Sequence, residues 1–122
     1  MNSQLILVIE DEVTILNNIC TILQISGYNC VKANSGLQAL EILREQQPNL
    51  ILCDVMMPEM DGFEVLKSIL DNDEIKHIPF CFLSARADVI DIDFGLQIGA
   101  KGYITKPFLV KDLLHTVATL IK

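Results

Sequence analysis

Basic side chains are scarce in this sequence: nine Lys and Arg stand against sixteen Asp and Glu, for a net charge of −7. A chain this acidic has no Lys/Arg stripe to lay along a phosphate backbone, so direct nucleic-acid binding is not expected. Long apolar runs are missing too. None approaches the length of a membrane span. The start, MNSQLILVIEDE, has no basic region, and acids interrupt its apolar stretch after Ile9. Neither a membrane segment nor a signal peptide is expected. No GxxxxGK or GxGxxG occurs, which leaves nucleotide chemistry without support. No repeat, low-complexity tract or linker is visible. The four cysteines, Cys20, Cys30, Cys53 and Cys81, form no CxxC, and three of them lie inside apolar runs. They read as small core residues in a reducing cytoplasm rather than as metal ligands or a disulfide.

What is present is a globular composition. The chain has 122 residues, 51% of them hydrophobic, a combination that argues against disorder. The length suits one domain able to bury roughly two thirds of its unfolded surface.

Along the chain, short apolar runs alternate with segments of helical period. Strands are expected at residues 5–9 (LILVI), 28–33 (YNCVKA), 50–53 (LILC), 78–83 (IPFCFL) and 101–105 (KGYIT). Helices are expected at residues 12–26, 36–46, 62–70, 87–98 and 108–121, the second capped by Asn34 or Ser35 and stopped before Pro48. Strict strand–helix alternation implies an α/β layer fold with a parallel sheet and helices on both faces. The first, third and fourth strands are continuously apolar, as strands covered on both faces should be. The second is less apolar and reads as lying nearer an edge.

In such a sheet, ligands bind beyond the carboxyl ends of the strands. The first strand delivers Glu10, Asp11 and Glu12 there, the third Asp54, the fourth Ser84, and the fifth Lys106 just before Pro107. Converging carboxylates repel one another and are best relieved by a cation. An all-oxygen set favours Mg²⁺ over Zn²⁺. A lysine and a hydroxyl at the same edge could hold an anion beside that metal. The parts suit phosphoryl transfer, with Asp54 as the candidate nucleophile. Each residue also has a plainer reading: Asp61 as a helix cap, and Glu10, Asp11 and Glu12 as acids loading a helix N-terminus. Their joint placement, each at the end of its own strand, favours the site. His77 and His115 have no metal partner at sensible spacing and read as surface or rim residues.

The stretches LVIEDE, CDVMMPEMDG, FLSARA and GYITKPF, in this order and spacing, resemble the receiver domain of response regulators, the chemotaxis-regulator-like domain of two-component and phosphorelay signalling. The resemblance covers essentially all of residues 1–122, read as one receiver domain. It implies a flavodoxin-like α/β fold, a five-stranded parallel sheet of order 2-1-3-4-5 with five helices on both faces. It implies that Asp54 takes a phosphoryl group from a histidine kinase or histidine phosphotransfer protein. Asp11, Asp54 and the backbone carbonyl of Met56 would hold Mg²⁺, with Glu10 acting through water. Lys106 would pair with the phosphoryl oxygens and with Asp54, Ser84 would hydrogen-bond the phosphoryl group, and Tyr103 would be the aromatic switch. The Lys106–Pro107 bond would be cis. The chain departs from the commoner pattern in having Glu10 where Asp is usual and Ser84 where Thr is usual. Neither change removes a required group.

The same resemblance implies a cytoplasmic phosphoacceptor regulator, not an enzyme beyond assisting its own phosphorylation and dephosphorylation. Its output would pass through the face made by the fourth helix, fifth strand and fifth helix, to a downstream protein or a covalently linked output domain. The sequence reads as an isolated domain acting by protein contacts, with a receiver taken from a larger protein as the alternative. In ADVIDIDFGLQIG, Val89, Ile90, Ile92, Phe94, Leu96 and Ile98 cannot all share one helical face. Either some are exposed, suiting a partner helix or a homodimer, or the helix is deeply buried. Other functions fit less well. A phosphatase of the haloacid-dehalogenase type needs a second acid two residues after Asp54, where Met56 stands. A flavodoxin-like phosphate binder needs a Ser/Thr/Gly loop where EDE stands. The remaining alternative is a receiver-like interaction module that works without phosphorylation.

Overall fold

A computed structural model describes residues 4–122 of the chain. Ten elements alternate along it: β1 (Leu5–Ile9), α1 (Val13–Ile25), β2 (Asn29–Ala33), α2 (Gly36–Leu43), β3 (Leu50–Cys53), α3 (Gly62–Leu70), β4 (Phe80–Ser84), α4 (Val89–Gln97), β5 (Gly102–Thr105) and α5 (Val110–Leu120). The strands form one parallel sheet in the order β2-β1-β3-β4-β5. This is the expected α/β architecture.

Burial follows from position in the sheet. Every residue of β3 and β4 is buried, while the edge strand β2 buries only Ala33. Successive side chains in a strand point to opposite faces, so each central strand feeds two cores. Leu7, Ile9, Ile51, Cys53, Phe80 and Phe82 pack with Val65, Leu66 and Ile69 of α3 and with Ala39 and Leu43 of α2. Their neighbours Ile6, Val8, Leu50, Leu52, Cys81 and Leu83 pack with Leu16, Ile19 and Leu23 of α1 and with Leu113 and Val117 of α5. Continuous apolar runs were needed for this reason: each strand is covered on both sides.

Local chemistry sets the helix starts. Ser35 caps α2 by accepting from the Gln38 amide at 3.1 Å. Asp61 caps α3 in a full capping box: its carboxylate accepts from the Glu64 amide at 2.9 Å, and the Glu64 carboxylate accepts from the Asp61 amide at 3.0 Å.

The structure revises several expectations. Helix α2 ends at Leu43 rather than continuing to residue 46, and the Arg44 and Glu45 amides turn back to the Glu41 and Ile42 carbonyls. Strand β4 starts at Phe80, after Pro79, which has no amide to give a ladder. Helix α4 is shorter than expected and buries only Gly95 among its residues. Val89 and Ile90 are 72% and 81% exposed, so the exposed alternative for this segment holds. The cysteine reading holds for Cys53 and Cys81, which are free and buried. It fails for the other two. Cys20 of α1 and Cys30 of β2 are joined as a disulfide, with Cα atoms 5.8 Å apart. Helix α1 lies against the edge strand, and this packing brings together cysteines whose spacing carried no pairing signal.

Candidate functional site

The carboxyl edge of the sheet is built by backbone pairing carried one residue beyond the strands. The Glu10 amide donates to the Ala33 carbonyl at 3.0 Å, the Asp54 amide to the Ile9 carbonyl at 3.0 Å, and the Lys106 amide to the Ser84 carbonyl at 2.8 Å. Glu10, Asp54, Ser84 and Lys106 are therefore each held by a sheet bond at their own residue, which fixes their direction better than a free loop would.

The sequence-predicted residues converge at this edge. Carboxylate oxygens of Glu10, Asp11 and Asp54 all lie within 4.8 Å of one another. Glu10 is 1% exposed and Asp54 7%. Lys106 reaches both: its Nζ lies 2.5 Å from Glu10 Oε1 and 3.5 Å from Asp54 Oδ2. The second Glu10 oxygen accepts from the Glu12 amide at 3.2 Å. Ser84 is buried at the end of β4, and its Oγ accepts from the Arg86 amide at 3.1 Å. The Lys106–Pro107 peptide is cis.

Electrostatics follow from this crowding. Burial pushes the Glu10 carboxyl up to about 7; the Lys106 hydrogen bond opposes the rise and the Asp54 charge adds to it. For Lys106, burial alone would lower the pKa, but the Glu10 hydrogen bond and the Asp54 charge outweigh it and the net shift is upward. The site thus has more negative charge than its lysine neutralises. The all-oxygen donors match a small hard cation such as Mg²⁺ rather than a thiolate- or imidazole-seeking metal.

Tyr103, on β5, points along the loop after β4. Its hydroxyl donates to the Arg86 carbonyl at 2.6 Å, and the Arg86 side chain pairs with Asp91 at 3.0 Å. Burial raises the Tyr103 pKa, with the Ser84 hydroxyl working the other way. Met56 stands two residues beyond Asp54, with its side chain exposed.

Two contributions escaped the sequence reading. One is the Arg86 carbonyl, a backbone group that no residue identity announces. The other is Gly62, which entered the sequence reading only as the first residue of the expected helix 62–70. A Cβ there would collide with the Asp54 carbonyl oxygen and come within 2.9 Å of Val55 Cα. The Gly62 amide also donates to the Val55 carbonyl at 2.8 Å. The backbone of Asp54 is therefore braced by the first residue of α3. The Asp-Gly pair after a strand-end acid was the available signal.

Comparison with known proteins bears on this edge. Residues 6–118 match the model of the response regulator receiver domain. The chain is 38% identical over 122 residues to a probable transcriptional regulator, ycf27, of Cyanophora paradoxa, and spans about half (50%) of that protein's length. It is 35% identical over 112 residues to the polar-differentiation response regulator DivK of Brucella abortus, which covers 92% of this chain and 91% of that one. Among solved structures, Vibrio cholerae chemotaxis protein CheY4 superimposes with a TM-score of 0.92 at 28% identity, covering 98% of this chain and 100% of that one. The receiver domain of a Pseudomonas aeruginosa sensor histidine kinase, with a magnesium ion coordinated in its active-site cleft, gives a TM-score of 0.89 at 28% identity, with 98% of each chain covered.

Proposed function

The chain belongs to the response regulator receiver domain family, and from that premise we propose that Asp54 is its phosphoacceptor, charged by the phosphohistidine of a histidine kinase or histidine phosphotransfer protein. The observation that carries the reading is the Asp54 carboxylate at the tip of buried β3, 3.5 Å from Lys106 and grouped with Glu10 and Asp11. An Asp54 oxygen attacks phosphorus, the P–N bond breaks, and the imidazole leaves with the electron pair and takes up a proton.

Receiver domains bind Mg²⁺ at an acidic pocket, and Asp11, Asp54 and the Met56 backbone carbonyl are proposed to hold it here, with Glu10 acting through water. The ion would supply positive charge against the phosphoryl oxygens. Lys106 orients and neutralises the acceptor carboxylate before transfer and pairs with a phosphoryl oxygen after it. Ser84 exchanges its bond from the Arg86 amide for one to the phosphoryl group. That exchange pulls on the loop that also holds Tyr103, and so biases the α4–β5–α5 face. A downstream protein, a linked output domain or a second copy of the chain would read that face. The proposed setting is cytoplasmic.

Intact mass after incubation with Mg²⁺ and acetyl phosphate tests the reading. One added phosphoryl group is expected, absent without Mg²⁺ and absent in Asp54→Asn. No gain in folded protein, from this donor or from a phosphorylated histidine phosphotransfer protein, would favour an interaction module that works without phosphorylation. Tyr103→Ala tests the output step; normal signalling by that variant after phosphorylation would remove Tyr103 from the mechanism.

A further inference from the structure

Helices α3 and α4 meet through Phe63 and Phe94 but do not close along their length. A cavity of about 400 Å³ lies between them, with Phe63, Leu70, Phe94 and Ile98 as its apolar lining. Phe94 is 48% exposed and Leu70 37%. The opening follows from the way α4 is seated. Its one buried residue is Gly95, and a Cβ there would stand 3.0 Å from the Phe82 ring and 3.3 Å from the Tyr103 ring. A helix that touches the sheet through a glycine carries its large side chains to either side of the contact. On the α3 side they border a trough instead of filling a core.

Charge surrounds this trough. Asp61, Glu64 and Asp71 lie along it with a single cation, Lys67. No neutral hydrogen-bonding side chain lines it, so it lacks the few convergent polar groups that orient a small ligand. A second copy of this chain, at net charge −7, would bring like charge to an acidic rim. An apolar trough with an acidic margin is complementary to a helix with an apolar stripe flanked by Lys or Arg. We propose that the α3–α4 groove docks a basic amphipathic helix of a partner protein, separately from the α4–β5–α5 face.

The groove is also in ring contact with Tyr103. Phe94 meets Phe63 edge-on at 4.9 Å between centroids, Phe63 meets Phe82 at 5.1 Å, and Phe82 meets Tyr103 at 5.7 Å. Side chains inserted beside Phe63 and Phe94 press on the first two members of that series. The occupant therefore senses, and biases, the position of Tyr103. This coupling needs only the packing and holds whether or not Asp54 is phosphorylated.

The test is an NMR titration of the isotope-labelled full chain with a Leu/Lys amphipathic peptide of about four helical turns, beside a Leu/Glu peptide of the same pattern. The expected result is saturable shifts over residues 61–71 and 94–98 with the Leu/Lys peptide, movement of the Tyr103 ring signals, and no binding by the Leu/Glu peptide. Phe94→Ala removes an exposed anchor and is expected to weaken binding about tenfold or more. Asp71→Lys, at the exposed C-terminal end of α3, is expected to weaken it by a smaller factor. Shifts centred on Glu10 and Asp11, equal binding of both peptides, unchanged affinity in both variants, or a still Tyr103 ring would overturn the proposal. The Asp54→Asn protein binds the peptide equally if the groove acts by itself, so failure here and failure of the phosphoacceptor reading are separable.

Discussion

Lys106 Nζ lies a full ångström nearer to Glu10 than to Asp54, at 2.5 Å against 3.5 Å. The charge balance of the edge thus rests first on the carboxylate that is most deeply buried, and leaves Asp54 only loosely held. For the proposed reaction, a loosely paired Asp54 carboxylate is open to an incoming group, while the lysine is kept at the edge by Glu10.

That pairing gives the metal-free protein a definite pH dependence. Glu10 has a folded-state pKa near 7 against an ordinary 4.5. A raised carboxyl pKa means that the folded state holds its proton more tightly than the unfolded chain. The associated stability is full below 4.5 and is lost as pH rises towards 7. Urea midpoints in EDTA should fall across that window by the equivalent of about 1–3 kcal/mol. Glu10→Gln should flatten the profile. An unchanged slope in the variant would assign the effect to another group.

Gly62 braces the backbone of Asp54, so Gly62→Ala should harm both fold and site. The new Cβ meets the Asp54 carbonyl and Val55 Cα, neither of which can move without shifting β3. A loss of roughly 2–3 kcal/mol is expected, within the range for overpacking a well-filled interior. Phosphoryl uptake measured on the folded fraction should fall as well. Wild-type uptake in the variant would separate Gly62 from the site.

The capping box at α3 should account for much of that helix's local stability. Asp61→Ala removes the acceptor for the Glu64 amide and should cost about 1 kcal/mol in urea unfolding. Asp61→Ser, which keeps an acceptor, should restore most of it.

Cys53 and Cys81 should resist alkylation while the protein is folded. Burial pushes the Cys81 thiol up to about 12 and Cys53 well above its ordinary value, with Asp54 adding to the rise at Cys53. Little thiolate exists at either position at neutral pH. Peptide mass mapping after iodoacetamide should find both modified only under denaturing conditions.

Much of the fold was legible because the signals were local and redundant. The runs at Leu5–Ile9 and Leu50–Cys53 are bounded in the structure as they are in the sequence, and α3 spans the expected residues. Helices α2 and α4 were read too long, and β4 was placed with its start two residues early and its end one residue short. Apolar periodicity continues past the point where backbone hydrogen bonding changes, as it does after Leu43. The convergence at the carboxyl edge was legible as well: Ser84 ends its strand, and Glu10, Asp54 and Lys106 each stand one residue past the end of theirs.

By itself the sequence determined the layer order, the two-faced burial of the central strands, and which acids, lysine and hydroxyl share one edge. These properties depend on residue type and on period, and both can be read from the chain. The tertiary structure alone decided which carboxylate Lys106 favours, that Cys20 meets Cys30, that Gly62 supports Asp54, and that α4 stands on Gly95 and leaves a groove beside α3. Each of these depends on distances of a few ångströms between elements remote in the chain. Such distances are set by how helices settle on a twisted sheet, and no local pattern encodes them.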